Sequence, residues 1–153
     1  MAAWPRAKST LAFASRVADD NHIHDGDAPR PAGGTAAPEA RRIRVVFVED
    51  LAPLRRLVVS ALAYEGIDVR GAGSLSEGLA AVVAGELDVL VTDQYLPDGT
   101  GRELVDHARR VRPGLKAMCV SGSPQLDAAF DRVLEKPFDV EILAAEIRAL
   151  AGR

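Results

Sequence analysis

The chain is poor in aromatic residues: Phe, Trp and Tyr make up 5% of its 153 residues, while 26 are alanine. Its core must therefore be built from Val, Leu, Ile and Ala. It has one cysteine, Cys119, which excludes an internal disulfide and a cysteine-based zinc site. No apolar run approaches the roughly 18 residues of a membrane span. Positive charge is not in excess either. The net charge of −3 argues against a nucleic-acid module, which carries a basic face. What remains, 48% apolar and 27% charged, is the composition of an ordinary soluble domain. The length suits one such domain with a tail.

The tail is at the amino end. Residues 1–42 hold four of the nine prolines, the pair Gly33-Gly34 and no sustained periodicity. Six basic residues stand there against five acidic ones, so the remaining chain carries the negative charge. Such a stretch cannot bury enough apolar surface to offset its chain entropy, and we read it as a disordered tail preceding a domain over residues 43–151. Leu11–Ser15 is too short for a secretory apolar region, and Arg16 interrupts it, so a cytoplasmic protein is expected. His22 and His24 in this stretch read as solvated side chains rather than a metal site.

From Arg44 the pattern is regular. Arg44–Val48, Leu87–Thr92 and Leu115–Val120 are short apolar runs suited to strands buried on both faces of a parallel sheet. Ile67–Arg70 alternates and Val133-Leu134 is brief, so both read as edge strands. Helical spacing links Leu54, Leu57, Val58, Ala61 and Leu62, then Leu75, Leu79, Val82 and Val83. Ser74 and Glu77 predict a capping box. Leu104, Ala108 and Val111 mark a third helix ending before Pro113-Gly114, and Leu143, Ile147 and Leu150 mark the last. This order predicts an α/β fold: a doubly wound, five-stranded parallel sheet of flavodoxin-like order 2-1-3-4-5, with helices on both faces.

In such sheets ligands bind outside the carboxyl ends of the strands. The first strand ends in Glu49-Asp50, the third in Asp93, the fourth in Ser121 and the fifth in Glu135-Lys136-Pro137. Three carboxylates converging at ~5 Å repel one another by roughly 3 kcal/mol per pair at an effective dielectric of ~20. A hard divalent cation relieves this, and carboxylates with waters and a carbonyl suit Mg²⁺. Lys136 adds a compact charge for phosphoryl oxygens and Ser121 a hydrogen-bond donor. No histidine base or glycine-rich phosphate loop accompanies them. The set is suited to holding a metal and a phosphoryl group on Asp93, since a carboxylate can act as a nucleophile.

Val48-Glu49-Asp50, Asp93 with Leu96-Pro97 and Gly101, Ser121-Gly122, and Lys136-Pro137-Phe138 together resemble the receiver domain of bacterial two-component response regulators, over about residues 43–150. The resemblance implies that Asp93 is the phosphoacceptor, taking a phosphoryl group from a sensor histidine kinase or a histidine phosphotransfer protein. It implies Mg²⁺ ligation by Asp50, Asp93 and the backbone carbonyl of Tyr95, with Glu49 helping through water. Ser121 would bond the phosphoryl group, Lys136 would pair with it, and the Lys136–Pro137 peptide would be cis.

The chain also departs from the pattern. Most receivers carry an aromatic residue three positions before the lysine, where Val133 stands here. Only 11 residues separate Ser121 from Val133, so the intervening helix is expected to be a stub near Leu126–Phe130 or absent. Tyr95 and Ser123 are expected to flank the path of the hydrolytic water, with Tyr95 slowing loss of the phosphoryl group and Gly122 leaving access beside the hydroxyl. His107 is expected on an exposed helix face and Cys119 in the core. With three residues after Leu150, the reading expects no effector domain, and output by protein contact or as a phosphate relay or sink. It expects a monomer or weak dimer, an unknown downstream protein, and neither nucleic acid nor membrane as partner. Two alternatives stand beside it: a receiver that binds its partner regardless of phosphorylation, and a Mg²⁺-dependent phosphohydrolase of related fold. The latter would need an acidic residue where Tyr95 stands.

Overall fold

Strands that bury both faces need continuous apolar stretches, and Arg44–Val48 (β1), Val89–Asp93 (β3) and Lys116–Ser121 (β6) carry them between polar ends. The computed structural model describes residues 41–123 and 127–153. β1, β3 and β6 lie at the centre of a five-stranded parallel sheet of order β2-β1-β3-β6-β7. Asp68–Ala72 (β2) and Arg132–Glu135 (β7) are its edges, and both are partly exposed, as their mixed sequences predict. The order is the predicted one.

Alternate residues of the central strands feed two cores. Val45, Phe47, Val89, Val91, Met118 and Val120 pack with Val58 and Leu62 of α1 (Ala52–Tyr64) and with Leu143 and Ile147 of α4 (Val140–Leu150). On the other face Val46, Val48 and Leu90 meet Val82 of α2 (Leu75–Ala84) and Leu104, Val105 and Ala108 of α3 (Gly101–Val111). Phe47 is the one fully buried aromatic among the described residues. Among those residues no helix is long and apolar enough to cross a membrane.

Three details differ from the expectations. Leu57, Val83 and Val111 are more than half exposed, because the buried stripe on each helix is narrower than its apolar spacing suggests. β2 runs two residues beyond Arg70. A Cβ at Gly71 would stand 3.1 Å from Cγ of Arg55, so the glycine lets that side chain lie across the strand. At α2 the box is incomplete. Ser74 Oγ accepts from the Glu77 N–H, but the Glu77 carboxylate takes the Gly73 N–H instead of Ser74's own. The complete box belongs to Thr100 and Glu103, at the start of α3.

The loop after β3 folds into a small hairpin, β4 (Tyr95–Leu96) against β5 (Gly99–Thr100). Its turn residue Asp98 caps α2 from outside, accepting the N–H groups of Leu75 and Ser76 and the Ser76 hydroxyl. These bonds, Ser76's N–H first, hold the Asp98 carboxyl below its ordinary 3.8. A depressed folded value means that the stabilisation is present above 3.8 and is lost as pH falls through that lower value. Asp98→Ala is therefore expected to melt at a lower temperature than wild type near neutral pH, with the gap closing in acid. Thermal unfolding followed by circular dichroism tests this. A gap of the same size at both pH values would sink the assignment.

Candidate functional site

β1, β3 and β6 run parallel, so their last residues emerge side by side at one end of the sheet. Glu49 follows β1, Asp93 ends β3, Ser121 ends β6, and Lys136 follows β7. One carboxylate oxygen from each of Glu49, Asp50 and Asp93 lies within 4.8 Å of the others. Lys136 Nζ donates to Glu49 Oε2 at 2.5 Å and to Asp93 Oδ2 at 2.7 Å. Glu49 is buried at 2% exposure, Asp93 is half-buried and Asp50 is exposed. The sequence-predicted acids and the lysine thus come together in space.

Burial raises the Glu49 carboxyl above its usual 4.5, although the Lys136 bond and the Leu51 N–H oppose this. Burial works to lower the Lys136 ammonium, but its bonds to Asp93 and Glu49 outweigh it and hold the group above 10.5. Three carboxylates against one ammonium leave two negative charges, which a divalent cation balances. The donor set is all oxygen and open to solvent at Asp50, so it fits Mg²⁺.

Asp93 Oδ1 accepts the N–H of Gln94 at 2.6 Å. Ser121, 3% exposed, donates its hydroxyl to Gln94 Oε1 at 2.9 Å and accepts the Ser123 N–H at 3.2 Å. Gly122 and Ser123 are exposed. Tyr95 is 66% exposed beside the cluster, on β4. Val133 is half-buried on β7, paired with Cys119. Cys119 is a core residue, and its thiol is pushed up to about 11, first by burial and then by the Asp93 charge. His107 is exposed on α3. The Lys136–Pro137 peptide is cis.

Sequence reasoning missed two residues. Gln94 is one; a polar residue directly after the strand-ending Asp93 was the available signal. Arg55 is the other. It donates to the carbonyls of Glu49, at 2.5 Å, and Asp50, at 3.3 Å, pinning the loop that carries both acids. Between β6 and β7, Leu126 and its two predecessors fall outside the described residues. Asp127–Phe130 form a turn, closed by the Phe130 N–H on the Asp127 carbonyl, and not a helix. His22 and His24 also fall outside the described residues.

The chain is similar to known proteins in sequence and in fold. A family described as the response regulator receiver domain matches residues 45–148. The probable transcriptional regulatory protein TcrX of Mycobacterium tuberculosis is 30% identical over 75% of this chain and 52% of its own length. The response regulator receiver protein CpdR of Brucella abortus is 31% identical over 70% of this chain and 95% of its own. Among solved structures, a CheY-like receiver domain protein of Methanospirillum hungatei superposes with a TM-score of 0.69 at 28% identity, covering 73% of this chain and 95% of that one. The chain spans about half the length of several curated relatives it matches, TcrX among them.

Proposed function

This chain belongs to the response regulator receiver domain family of two-component systems, and from that premise we propose that Asp93 accepts a phosphoryl group from a phosphohistidine in a Mg²⁺-dependent reaction. The observation that carries this reading is the Lys136 ammonium bridging Asp93 and buried Glu49 within a cluster of three carboxylates.

An Asp93 carboxylate oxygen attacks phosphorus. The new P–O bond forms as the P–N bond to the donor imidazole breaks, and the freed nitrogen keeps that electron pair. Such transfer passes through a loose transition state, so positioning and charge neutralisation matter more than covalent help. Asp50, Asp93 and the Tyr95 carbonyl would hold Mg²⁺, with Glu49 acting through water. When bound, the ion neutralises charge on the phosphoryl oxygens. Lys136 supplies the second cation and is held in place by Glu49. Ser121 supplies a donor to a phosphoryl oxygen. In this reading Tyr95, 66% exposed two residues after Asp93, flanks the path of the hydrolytic water with Ser123 and slows loss of the phosphoryl group. The phosphoryl donor is a sensor histidine kinase or a histidine phosphotransfer protein, and the output is contact with a downstream protein or onward relay. The turn at Asp127–Phe130 in place of a helix alters the surface beside β7, where that contact is made.

Incubation of the full chain with Mg²⁺ and a small phosphodonor, followed by intact mass measurement, tests the reading. The wild type is expected to gain the mass of one phosphoryl group, and the gain is expected to vanish with Asp93→Asn or with a chelator. No gain in the wild type would favour a phosphorylation-independent interaction module. Continuous release of phosphate without a mass gain would favour a phosphohydrolase.

A further inference from the structure

We propose that Gln94 is a positioning residue that holds the Ser121 hydroxyl until Asp93 is phosphorylated, and that phosphorylation releases Gln94. The proposal rests on Asp93 being the phosphoacceptor. Ser121 has one hydroxyl proton, and it is given to Gln94 Oε1 at 2.9 Å. Ser121 Oγ itself accepts the Ser123 N–H. The hydroxyl cannot donate to a phosphoryl oxygen without leaving Gln94.

Two features make the exchange favourable. The bond that Ser121 gives up joins neutral partners, whereas the bond to a phosphoryl oxygen is charge-assisted and roughly twice as strong. The released amide also has somewhere to go. Gln94 lines a cleft of about 450 Å³, shared with Tyr95, Cys119 and Phe130, where water can satisfy its oxygen. Gln94 is bound to both functional groups at once, since its backbone N–H holds Asp93 Oδ1 at 2.6 Å. Val133 offers only a short aliphatic side chain on the neighbouring edge strand and has no polar atom with which to follow the hydroxyl. The state of Ser121 is therefore reported through Gln94 to the cleft between the β3–α3 loop and the Asp127–Phe130 turn.

The test uses beryllofluoride with Mg²⁺ as a phosphoryl-like probe, titrated into the full chain and followed by amide NMR spectra. The proteins are wild type, Gln94→Leu, Ser121→Ala and the double variant. Removing one neutral hydrogen bond from the unliganded state is expected to tighten probe binding by about 2- to 10-fold in Gln94→Leu. In the Ser121→Ala background the same change is expected to do nothing, which a merely structural role for Gln94 would not produce. Equal or weaker binding by Gln94→Leu, or the same gain without Ser121, overturns the proposal. If Gln94→Leu fails to give a folded spectrum, Gln94→Ala repeats the measurement with a smaller side chain. Failure of the wild type to bind the probe would instead remove the phosphoacceptor reading. Binding by the wild type with no gain in the variants removes Gln94 alone.

Discussion

Lys136→Met is expected to cost the Mg²⁺-free protein about 3 kcal/mol of folding stability. The ammonium is the counterion of a carboxylate at 2% exposure and of a second at 16%, so its loss leaves Glu49 buried beside Asp93 and Asp50 without compensation. Glu49 can escape by taking a proton, and burial already holds its value above 4.5. A raised folded value means that stability is fully present below 4.5 and is lost as pH rises from there through the raised folded value. The deficit of the variant is therefore largest near neutral pH and shrinks in acid. Mg²⁺ has less positive charge to compete with in the variant, so the cation is expected to raise its melting temperature more than that of wild type. Phosphoryl uptake, by contrast, is expected to fall by about 100-fold, the scale of losing one preorganised donor to a developing anion. Thermal melts with and without Mg²⁺ at two pH values check the first part, and mass measurement over time checks the second. A variant as stable as wild type, with an unchanged Mg²⁺ shift, would show that the three carboxylates do not depend on the lysine.

The other large effect lies one step behind the site. A Cβ on Gly101 would stand 2.3 Å from the Asp93 carbonyl oxygen and 2.9 Å from Thr92 Cγ2. Neither can yield without moving the end of β3. Gly101→Ala is expected to destabilise the protein by about 3 kcal/mol, near the upper end of what overpacking costs. Alanine's better helix propensity returns only about 1 kcal/mol of the penalty that the clash would otherwise impose. That loss is a large share of a typical stability of about 5–15 kcal/mol. The Gly101 N–H also bonds the Gln94 carbonyl at 3.0 Å, so the peptide carrying Asp93 is displaced together with its neighbour. Urea unfolding measures the first effect and the rate of phosphoryl uptake the second. A change below ~0.5 kcal/mol, within the usual scatter of surface substitutions, would mean that the close approach relaxes at no cost.

Both effects depend on contacts that differ in how far they could be read from the chain. The sheet was legible because burial on both faces demands continuous apolar stretches, and β1, β3 and β6 carry them between polar ends. The convergence of Glu49, Asp50, Asp93, Ser121 and Lys136 was legible for a related reason. In a parallel sheet all strands end at the same rim, so position along the strand is enough to place a side chain there. The hairpin after β3 was not legible, because two-residue strands carry no periodicity. The exposure of Leu57, Val83 and Val111 was not legible either, since apolar spacing does not say where a helix meets its neighbour.

The sequence by itself therefore determined the order of the elements, the two apolar faces of the sheet and the identity of the charged residues at its carboxyl end. Each follows from local pattern and from the shared direction of the strands. Only the tertiary structure decided how those residues are engaged. Lys136 meets Glu49 across 87 positions, Asp98 caps a helix that begins 23 positions earlier, and Gln94 reaches Ser121 over 27. Such pairings depend on side-chain reach and on which donor is left unmet nearby, and neither is encoded in any local stretch of the chain.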